Sequence, residues 1–274
     1  MDNLRQKKQK LYEYLKKLGG AAVAFSSGAD STYLLKAAHD VLGDRAIAVT
    51  ACSDFFTQRE KEEAIRFRTD NGINQILFDF DQMAIGDFAQ NPKNRCYICK
   101  RELFRKIIGI SKTEELCRAG VSCVIEGSNA DDIDDYRPGM QALKELGIKS
   151  PLLEAGLTKT EIRELSKREG LSTWDKPSFA CLASRFAYGE IITPQRLNMV
   201  SAAEQKLRDL GFGQLRVRMH GSMARIEIMP DEFEKLLQGD TASRIDDYFH
   251  SLGFKFAALD LGGYSTGSMN RETK

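Results

Sequence analysis

Three cysteines stand in polar sequence, where a thiol can take part in chemistry. Cys96, Cys99 and Cys181 have basic or hydroxyl-bearing neighbours, whereas the other three of the six cysteines lie in or beside apolar or helical segments. Basic neighbours favour the thiolate, and a polar loop leaves it accessible. These properties suit a nucleophile or a metal ligand. Cys96, Cys99 and Cys181 are therefore the candidate reactive sulfurs, and the other cysteines are assigned to packing.

Cys96 and Cys99 form a CxxC pair, a spacing that occurs in zinc sites, redox pairs and iron–sulfur sites. No second CxxC and no nearby histidine completes a tetrahedral zinc site in the sequence. A thioredoxin-like redox pair would follow a strand in a smaller fold. Three thiolates can hold a cubane cluster by three of its irons, provided that Cys181 approaches the pair in space. The sequence alone leaves these alternatives open.

A second candidate site is the polar turn Ser-Ser-Gly-Ala-Asp-Ser at residues 26–31, here called the phosphate loop. It connects an apolar run to a predicted helix, whose N-terminus offers free backbone N–H groups and the positive end of a dipole to an anion. The turn is not a Walker loop, because no Gly-Lys-Ser/Thr follows at the required spacing. An ordinary capped helix is the alternative to a phosphate site.

An acidic stretch follows a later apolar run, at residues 126–139. Five carboxylates concentrate negative charge there: Glu126, Asp131, Asp132, Asp134 and Asp135. Hard oxygen ligands of this kind suit the Mg²⁺ that accompanies a nucleotide. A solvated acidic loop is the alternative, but the end of a strand would place these side chains beside the phosphate loop.

Apolar runs of strand length alternate with segments of helical period along the N-terminal part of the chain. Strands are predicted over 21–25, 46–51, 74–80 and 123–128. Helices are predicted over 4–18, 31–43, 58–72 and 158–170. The last helix opens with a capping box formed by Thr158 and Glu161. This alternation predicts an α/β fold with a doubly wound, mainly parallel sheet, which binds ligands at the carboxyl ends of its strands.

The pattern changes after Thr193. A helix over 193–211, strands over 214–220, 224–230 and 254–261 and two shorter helical segments predict a small α+β module. We therefore predict two domains, 1–188 and 189–274. Arg216 and Arg218 lie on one face of a strand, and Arg225 lies in the neighbouring strand. Such an arginine group suits the phosphate of a nucleotide substrate, and surface pairing with acids is the alternative.

Bulk composition narrows the class of protein. The 274 residues are 42% hydrophobic and 29% charged, as in an ordinary soluble globular protein. The formal net charge of +1 gives no global attraction to nucleic acid. No apolar run reaches the length of a membrane span, and the N-terminus lacks the apolar centre of a signal peptide. We expect a cytoplasmic protein that binds neither nucleic acid nor membrane, with its cysteines reduced.

The phosphate loop resembles the PP-loop, SGGxDS, of the ATP pyrophosphatase superfamily (the adenine nucleotide alpha hydrolase-like fold), whose members adenylylate a substrate and release pyrophosphate. Ser27 stands where that family usually has glycine. If the position requires a positive φ, the serine costs about 1 kcal/mol. Six motifs in order, from Ala21 to Asn270, are similar to the ATP-dependent sulfur transferases that make the nickel-pincer nucleotide cofactor of lactate racemase: SSGADST, NRCYICK, EGSNADD, KPSxACLASR, LRVRxHGxxARIE and LDLGGYSTGSMN.

The resemblance implies a reaction. Such an enzyme adenylylates a carboxylate of pyridinium-3,5-biscarboxylic acid mononucleotide, and the cysteine at position 181 attacks the acyl-adenylate to form a thioester. Some members surrender their own cysteine sulfur and become dehydroalanine. Members with three cysteines use a [4Fe–4S] cluster that relays an added sulfide, and this chain resembles them. The resemblance further implies a homo-oligomer such as a hexamer, and a nickel-inserting cyclometallase as the downstream partner.

The resemblance and the motif chemistry together assign residues to four tasks. The candidate catalytic residues are Cys181, Asp30, Lys176 and Arg185. The candidate ATP-binding residues are Ser26, Ser27, Gly28, Ala29, Asp30, Ser31, Thr32, Glu126, Gly127 and Ser128. The candidate substrate-phosphate residues are Arg216, Arg218, Arg225, Glu204 and Ser184, with Asp260 nearby. The candidate cluster ligands are Cys96, Cys99 and Cys181. Asp30 is expected near the pyrophosphate and its Mg²⁺, and Lys176 and Arg185 are expected to stabilise developing negative charge.

Three other functions fit part of the pattern. A tRNA-thiolating enzyme would carry an RNA-binding appendage or a strongly basic face, which the balanced charge disfavours. An amide-forming ligase related to NAD synthetase would leave the three polar cysteines without a role. A nucleotide- or metal-binding regulatory module would not consume ATP. The sulfur transferase accounts for all the motifs and is the preferred hypothesis.

Overall fold

Four apolar runs form one parallel sheet in the computed structural model, which describes residues 2–55, 58–133, 138–176 and 180–265. The strands are β1 (Ala21–Ala24), β2 (Ala46–Cys52), β3 (Gln75–Asp79) and β4 (Cys123–Ile125). They lie in the order β3-β2-β1-β4, and all neighbours are parallel. The chain moves outward from β1 to β3 and then returns to β4 beside β1. The carboxyl ends of β1 and β4 therefore flank the topological switch point, where open α/β sheets bind ligands.

Helices cover both faces of this sheet. They are α1 (Asp2–Leu18), α2 (Ala29–Leu42), α3 (Gln58–Asn71), α4 (Arg95–Ser111), α5 (Glu114–Arg118), α6 (Pro138–Glu145), α7 (Pro151–Glu154) and α8 (Lys159–Arg168). Successive strand residues point to opposite faces. Ala21 and Val23 accordingly pack with α1, α2 and α8, whereas Ala22 packs with α4, α5 and α6. The predicted doubly wound α/β fold is confirmed.

Helix α8 begins with the predicted capping box. The Thr158 hydroxyl accepts the backbone N–H of Glu161 at 3.3 Å, and the Glu161 carboxylate accepts the backbone N–H of Thr158 at 2.9 Å. Lys7 of α1 donates to the same carboxylate at 2.7 Å. Burial opposes ionisation of Glu161, but the hydrogen bonds from Lys7 and Thr158 outweigh it and hold the pKa of this carboxyl below its ordinary value. One side chain thus caps α8 and fastens it to α1.

The chain divides into two compact units, and the second takes a segment from within the first. The first unit is Met1–Ile85 with Asn94–Phe179, and the second is Gly86–Lys93 with Ala180–Lys274. In the second unit the Asn91 side-chain amide donates to the carbonyl oxygens of Phe186 and Ala187 at 3.3 and 2.6 Å. The Asn91 carbonyl accepts the backbone N–H of Gly189 at 2.9 Å. The boundary expected after Tyr188 thus falls inside the second unit.

The second unit is built on a small mixed sheet, as the α+β prediction requires. Its elements are α9 (Pro194–Asp209), β5 (Arg216–His220), β6 (Met223–Glu227), α10 (Phe233–Leu237), α11 (Thr241–Leu252) and β7 (Phe256–Leu259). Strands β5 and β6 are antiparallel, and β6 and β7 are parallel. Val217 and Ile226 are buried, and α9 packs against β5 while α11 packs against β7. Among the described residues, no helix is long and apolar enough to cross a bilayer.

A close backbone contact fixes the start of β1. A Cβ atom on Gly20 would lie 2.2 Å from the carbonyl oxygen of Gly120, so only glycine fits without a backbone shift. We expect Gly20→Ala to lower the free energy of unfolding by about 1–3 kcal/mol. The control is Gly109→Ala in α4, where an added Cβ meets nothing within 4 Å. That change should raise the free energy of unfolding by up to about 1 kcal/mol through helix propensity. Urea unfolding of both variants checks the prediction, and equal effects would contradict it.

Candidate functional site

The phosphate loop lies between β1 and α2 and is braced by its own serines. The Ser26 and Ser31 hydroxyl oxygens are 3.1 Å apart, and the Ser31 hydroxyl donates to the Gly28 carbonyl at 3.1 Å. Gly28 occupies the N-cap position of α2, and because it has no side chain it does not cap the helix N-terminus with a hydrogen bond. The first-turn N–H groups of α2 thus keep the arrangement that binds phosphate at a helix N-terminus.

Ser27 adopts the left-handed backbone conformation, with φ of 55°. The position therefore does require a positive φ, and a residue with a Cβ is strained where glycine would not be. Ser27 is also buried, and its carbonyl oxygen accepts a hydrogen bond from the Lys176 ammonium at 2.7 Å. Lys176 thus restrains the phosphate loop in addition to the hydrogen bonds among the loop's own residues.

Glycine at position 127 lets the loop after β4 approach the phosphate loop. A Cβ atom on Gly127 would lie 3.1 Å from the backbone nitrogen of Ser31 and 3.3 Å from the carbonyl carbon of Asp30. The structure therefore brings the predicted ATP-binding segments 26–32 and 126–128 together, at the switch point of the sheet.

The acids that follow β4 are engaged within their own loop. Glu126 accepts hydrogen bonds from the backbone N–H and hydroxyl of Ser128 at 3.1 and 2.9 Å, and from the Ser150 hydroxyl. Asp131 accepts the backbone N–H of Lys159 at 2.8 Å, and Asp132 accepts that of Asn129 at 3.1 Å. These three carboxylates shape the loop. Asp134 and Asp135, which the sequence also suggested for Mg²⁺, lie outside the described residues.

Asp30 has a carboxylate oxygen that could bind a cation. Its Oδ1 atom is buried and has no hydrogen-bond partner among the described residues. Burial raises the pKa of this carboxyl, while the charges of Lys159 and Arg163 act in the opposite direction. A buried carboxylate oxygen without a donor, beside a phosphate loop, fits Mg²⁺ that arrives with a nucleotide.

Two residues that sequence reasoning missed hold Lys176 at the phosphate loop. The Lys176 ammonium forms an ion pair with Glu63 of α3, and the guanidinium of Arg163 in α8 donates to the Lys176 carbonyl at 2.6 Å. Lys176 and Glu63 are 113 positions apart in the chain, and no local pattern signals their pairing.

Cys96 and Cys99 lie in the first two turns of α4, not in the loop that their polar neighbours suggested. Cys96 is exposed and Cys99 is half-buried, and residues three apart share one face of a helix. The described residues between β3 and α4 contain no strand, so the pair lacks the setting expected of a thioredoxin-like site. Cys181 belongs to the second unit. Among the described residues, no group of three or more His, Cys, Asp or Glu side chains is arranged to hold a metal ion.

In the second unit Arg185 fixes the loop of Cys181. Cys181 is half-buried and precedes a 3₁₀ turn over Leu182–Arg185. The Arg185 guanidinium donates to the carbonyl oxygens of Ala180 and Cys181 at 2.7 and 3.4 Å, and to the Ser184 hydroxyl at 2.9 Å. It is almost fully buried. These contacts suit a residue that positions the cysteine rather than one that meets the reacting atoms.

Glu204 of α9 is the partner of Arg185. The pair is bidentate, with Nε–Oε1 and Nη2–Oε2 distances of 2.7 and 3.0 Å. Arg208 donates to Glu204 at 2.8 Å, and the backbone N–H of Val217 in β5 donates at 3.1 Å. Burial would raise the pKa of Glu204, but the charge and hydrogen bonds of Arg185 and the charge of Arg208 hold it below its ordinary value. Glu204 therefore links α9, β5 and the Cys181 loop.

The three candidate phosphate arginines lie together on one face of the β5–β6 pair, here called the arginine face. Arg218 donates to Glu227 at 2.7 Å and to the Ser184 carbonyl at 2.7 Å. Arg225 donates to the same Glu227 oxygen at 3.0 Å and lies 3.4 Å from the Asp260 carboxylate. The predicted substrate-phosphate residues and Cys181 thus belong to the same compact unit.

Arg216 is a buried guanidinium on the arginine face. Its guanidinium lies 5.2 Å from the ring centre of Tyr264. Burial, together with the neighbouring charge of Arg185, lowers the pKa of Arg216 to about 10, against the opposing effect of Glu204. It remains protonated at neutral pH, in a position where a bound anion would relieve repulsion among the arginines.

The strain at Ser27 yields a stability prediction. Ser27→Gly should raise the free energy of unfolding by up to about 1 kcal/mol, because glycine adopts positive φ without steric cost. Ser26→Gly is the matched control. It should lower the free energy of unfolding, because it removes the contact with Ser31 and adds freedom to the unfolded chain. Thermal and urea unfolding compare the two, and a Ser27→Gly variant less stable than wild type would refute strain at this position.

The Glu204 carboxylate yields a pH prediction. Glu204→Gln should lower the free energy of unfolding by about 3 kcal/mol at pH 7, because it leaves Arg185 buried without its counter-charge. A carboxyl with a lowered folded-state pKa stabilises the protein above its ordinary pKa of about 4.3 and loses that contribution as pH falls through the folded value. The gap between wild type and variant should therefore narrow in acid.

Urea unfolding between pH 7 and pH 3.5 measures this gap. Glu164→Gln is the control, because Glu164 forms an exposed pair with Arg168 that contributes little. A gap for Glu204→Gln that stays constant across the range would show that the pKa of Glu204 is the same in the folded and unfolded protein, which contradicts its lowering by Arg185.

The chain matches known proteins along its length. It is 41% identical over 268 residues to an uncharacterised protein of Synechocystis, with 98% of both chains covered. It is 37% identical over 271 residues to the pyridinium-3,5-bisthiocarboxylic acid mononucleotide synthase of Lactiplantibacillus plantarum, which covers 98% of this chain and 96% of the synthase. A subunit of the glutamine-hydrolysing GMP synthase of Thermococcus kodakarensis is 30% identical over 203 residues, which are 68% of this chain and 62% of the GMP synthase subunit.

No family model matches the chain. The near-complete coverage of the L. plantarum synthase nevertheless includes both units, and the shorter match to GMP synthase agrees with the PP-loop and the parallel sheet. The chain therefore belongs to the family of the pyridinium-3,5-bisthiocarboxylic acid mononucleotide synthases, which are ATP-dependent sulfur transferases of the PP-loop superfamily.

Proposed function

We propose that this protein uses ATP to activate carboxylates of pyridinium-3,5-biscarboxylic acid mononucleotide and installs sulfur in them through Cys181. ATP is converted to AMP and pyrophosphate, and the product is the thiocarboxylate precursor of the nickel-pincer nucleotide. The full-length similarity to the L. plantarum synthase supports this choice of substrate class.

Activation takes place at the phosphate loop in this proposal. A substrate carboxylate oxygen attacks the α-phosphorus of ATP, the bond to the β-phosphate oxygen breaks, and pyrophosphate leaves with the bonding electrons. The N-terminus of α2 and the Lys176 ammonium stabilise the charge that develops on the phosphates. Asp30 would hold the Mg²⁺ that shields the pyrophosphate, and its buried Oδ1 atom without a donor among the described residues supports that assignment.

Sulfur transfer takes place at Cys181. The thiolate attacks the carbonyl carbon of the acyl-adenylate, and AMP leaves as a phosphate monoester of low pKa, which gives a thioester. The observation that carries this proposal is that the cysteine loop is built onto the arginine face: Arg218 donates to the Ser184 carbonyl at 2.7 Å. Arg216, which is protonated in its buried position on this face, would bind the phosphate of the substrate.

Arg185 and Glu204 act through Cys181 in this scheme. Arg185 was expected to stabilise developing charge directly, and Glu204 to contact the substrate phosphate. Their donors and acceptors are used on each other and on the backbone of residues 180–181. We therefore assign to both the task of fixing the orientation of the cysteine loop.

The immediate source of sulfur has two candidates. A [4Fe–4S] cluster held by Cys96, Cys99 and Cys181 would supply an added sulfide as the nucleophile that displaces AMP from the acyl-adenylate, and Cys181 would then be a ligand and form no thioester. Cys96 and Cys99 fit this role as two thiols on one helix face, but the described residues do not gather three such ligands. No step above depends on the cluster. The alternative is β-elimination from the Cys181 thioester. A base removes the Cα proton of residue 181, the Cβ–Sγ bond breaks, and the thiocarboxylate leaves with the bonding electrons, so that dehydroalanine remains in the chain and the sulfur is on the product.

We also propose that the protein is a homo-oligomer that passes its product to a nickel-inserting cyclometallase. Two large apolar side chains at and just after β7 are the support for an interface in the second unit, because contiguous exposed apolar surface marks interaction sites. Phe256 and Leu261 are 64% and 87% exposed.

A single-turnover assay tests the proposed function. Purified protein is mixed under anaerobic conditions with ATP, Mg²⁺ and the biscarboxylic acid mononucleotide, and pyrophosphate, AMP and thiocarboxylate are measured. Cys181→Ser should release pyrophosphate and form no thiocarboxylate. Asp30→Asn should slow pyrophosphate release at least roughly tenfold. The matched control is Cys117→Ser, which removes an exposed cysteine outside the candidate set and should leave every step unchanged.

Each variant can contradict one part of the proposal. Thiocarboxylate from Cys181→Ser would remove the cysteine from the reaction, and normal pyrophosphate release from Asp30→Asn would remove Asp30 from the nucleotide site. Iron counted after anaerobic reconstitution, beside a variant lacking all three candidate ligands, distinguishes the sulfur sources. A cubane's worth of iron that the variant loses supports the cluster. Iron in neither protein, with dehydroalanine at position 181, supports donation of the cysteine sulfur.

A further inference from the structure

The backbone that leads to the cysteine loop is tied to helix α8. Arg163 donates one hydrogen bond to the Trp174 carbonyl at 3.2 Å and another to the Lys176 carbonyl at 2.6 Å. A single guanidinium thus spans two peptide carbonyls that are two residues apart. An ammonium group cannot reproduce this contact, because the guanidinium is planar and donates from two separate nitrogen atoms in a fixed geometry. The capping box at Thr158 and the bond from Lys7 fix α8 and thereby the origin of Arg163.

The side chain of Lys176 is fixed separately. Its ammonium donates to the Ser27 carbonyl at 2.7 Å and forms an ion pair with Glu63 of α3. The Lys176 side chain is 10% exposed, so this pair is shielded from much of the solvent. Arg163 therefore sets the backbone of Lys176 and Glu63 sets its charged end.

A lysine at a phosphate site benefits from such restraint. Its ammonium is a point charge on four rotatable methylene groups, and a mobile ammonium loses much of its effect on a developing charge. The Ser27 carbonyl to which it is bound belongs to the strained residue of the phosphate loop. The same contact thus holds the charge in place and holds the loop in its left-handed conformation.

We infer that Arg163 and Glu63 are positioning residues that hold the Lys176 ammonium over the phosphate loop for the adenylylation step. This inference rests on the proposed function. The alternative is a direct role, in which Arg163 would itself contact the phosphates beside Asp30. The charge of Arg163 already acts to lower the pKa of Asp30.

Carboxylate-dependent exchange of labelled pyrophosphate into ATP measures the step in isolation. Arg163→Ala and Glu63→Gln should each lower kcat for exchange by roughly tenfold or more, with the KM for ATP changed less than about threefold, because positioning and not nucleotide binding is lost. Arg163→Lys should recover only part of the loss. Arg168→Ala is the matched control on α8: its exposed pair with Glu164 lies in the same helix, and exchange should be unchanged.

A double-mutant cycle with Lys176→Ala decides between positioning and direct contact. If Arg163 and Glu63 act through Lys176, neither change should lower kcat further once Lys176 is alanine. Independent, multiplicative losses would overturn the inference. Calorimetric binding of a non-hydrolysable ATP analogue and thermal unfolding of every variant show whether the protein is folded and loaded. If Arg163→Ala is not folded, Glu63→Gln and Arg163→Lys carry the cycle.

The proposed function and the inference fail in different ways. Wild-type protein that binds the ATP analogue but catalyses no exchange with the biscarboxylic acid mononucleotide would contradict the proposed function. If Arg163→Ala and Glu63→Gln catalyse exchange at the wild-type rate, the positioning role is refuted and the proposed function is unaffected.

Discussion

A carboxylate removed from water governs the second unit. Glu204 is fully buried and ionised, and a buried charge is tolerated only when several partners surround it. Arg185 and Arg208 supply charge, and the backbone of Val217 supplies a further donor. Because these partners come from the cysteine loop, α9 and β5, the three elements cannot shift independently. The position of Cys181 relative to the arginine face follows from this one requirement.

Charge is distributed unevenly over the arginine face. Glu227 receives both Arg218 and Arg225, Glu204 receives Arg185, and Arg216 donates to the Leu215 carbonyl and lies against an aromatic ring. Burial lowers the pKa of Arg216, and the charges of Arg185 and Arg218 lower it further, against the attraction of Glu204. A phosphate dianion would offset this repulsion, which a neutral ligand would not. The phosphate loop differs, because there the backbone N–H groups of α2 provide most of the attraction for an anion.

Features that depend on neighbouring residues could be predicted from the sequence, whereas contacts between residues far apart in the chain could not. The strands and their alternation with helices, the capping box at Thr158 and the conditional strain at Ser27 were all accessible, because each depends on a few neighbouring residues. Pairings over long distances left no local signal, as between Glu63 and Lys176. Glu126 illustrates the same limit, because the sequence around it gives no sign of its hydrogen bond from Ser150, 24 positions away.

The segment Gly86–Lys93 has a consequence for the order in which the protein folds. This segment belongs to the second unit. Its Asn91 forms a hydrogen bond with Ala187, which lies 96 positions later in the chain. The ribosome therefore makes the segment more than ninety residues before its partners. Domains usually fold as units during synthesis, N-terminal first. Here the first unit can gather its strands while the segment still lacks its partners, and closing the second unit requires the late formation of a long loop. Neither unit is a single stretch of chain that could be cut away intact, so the second unit can close only after the chain of the first unit has been made.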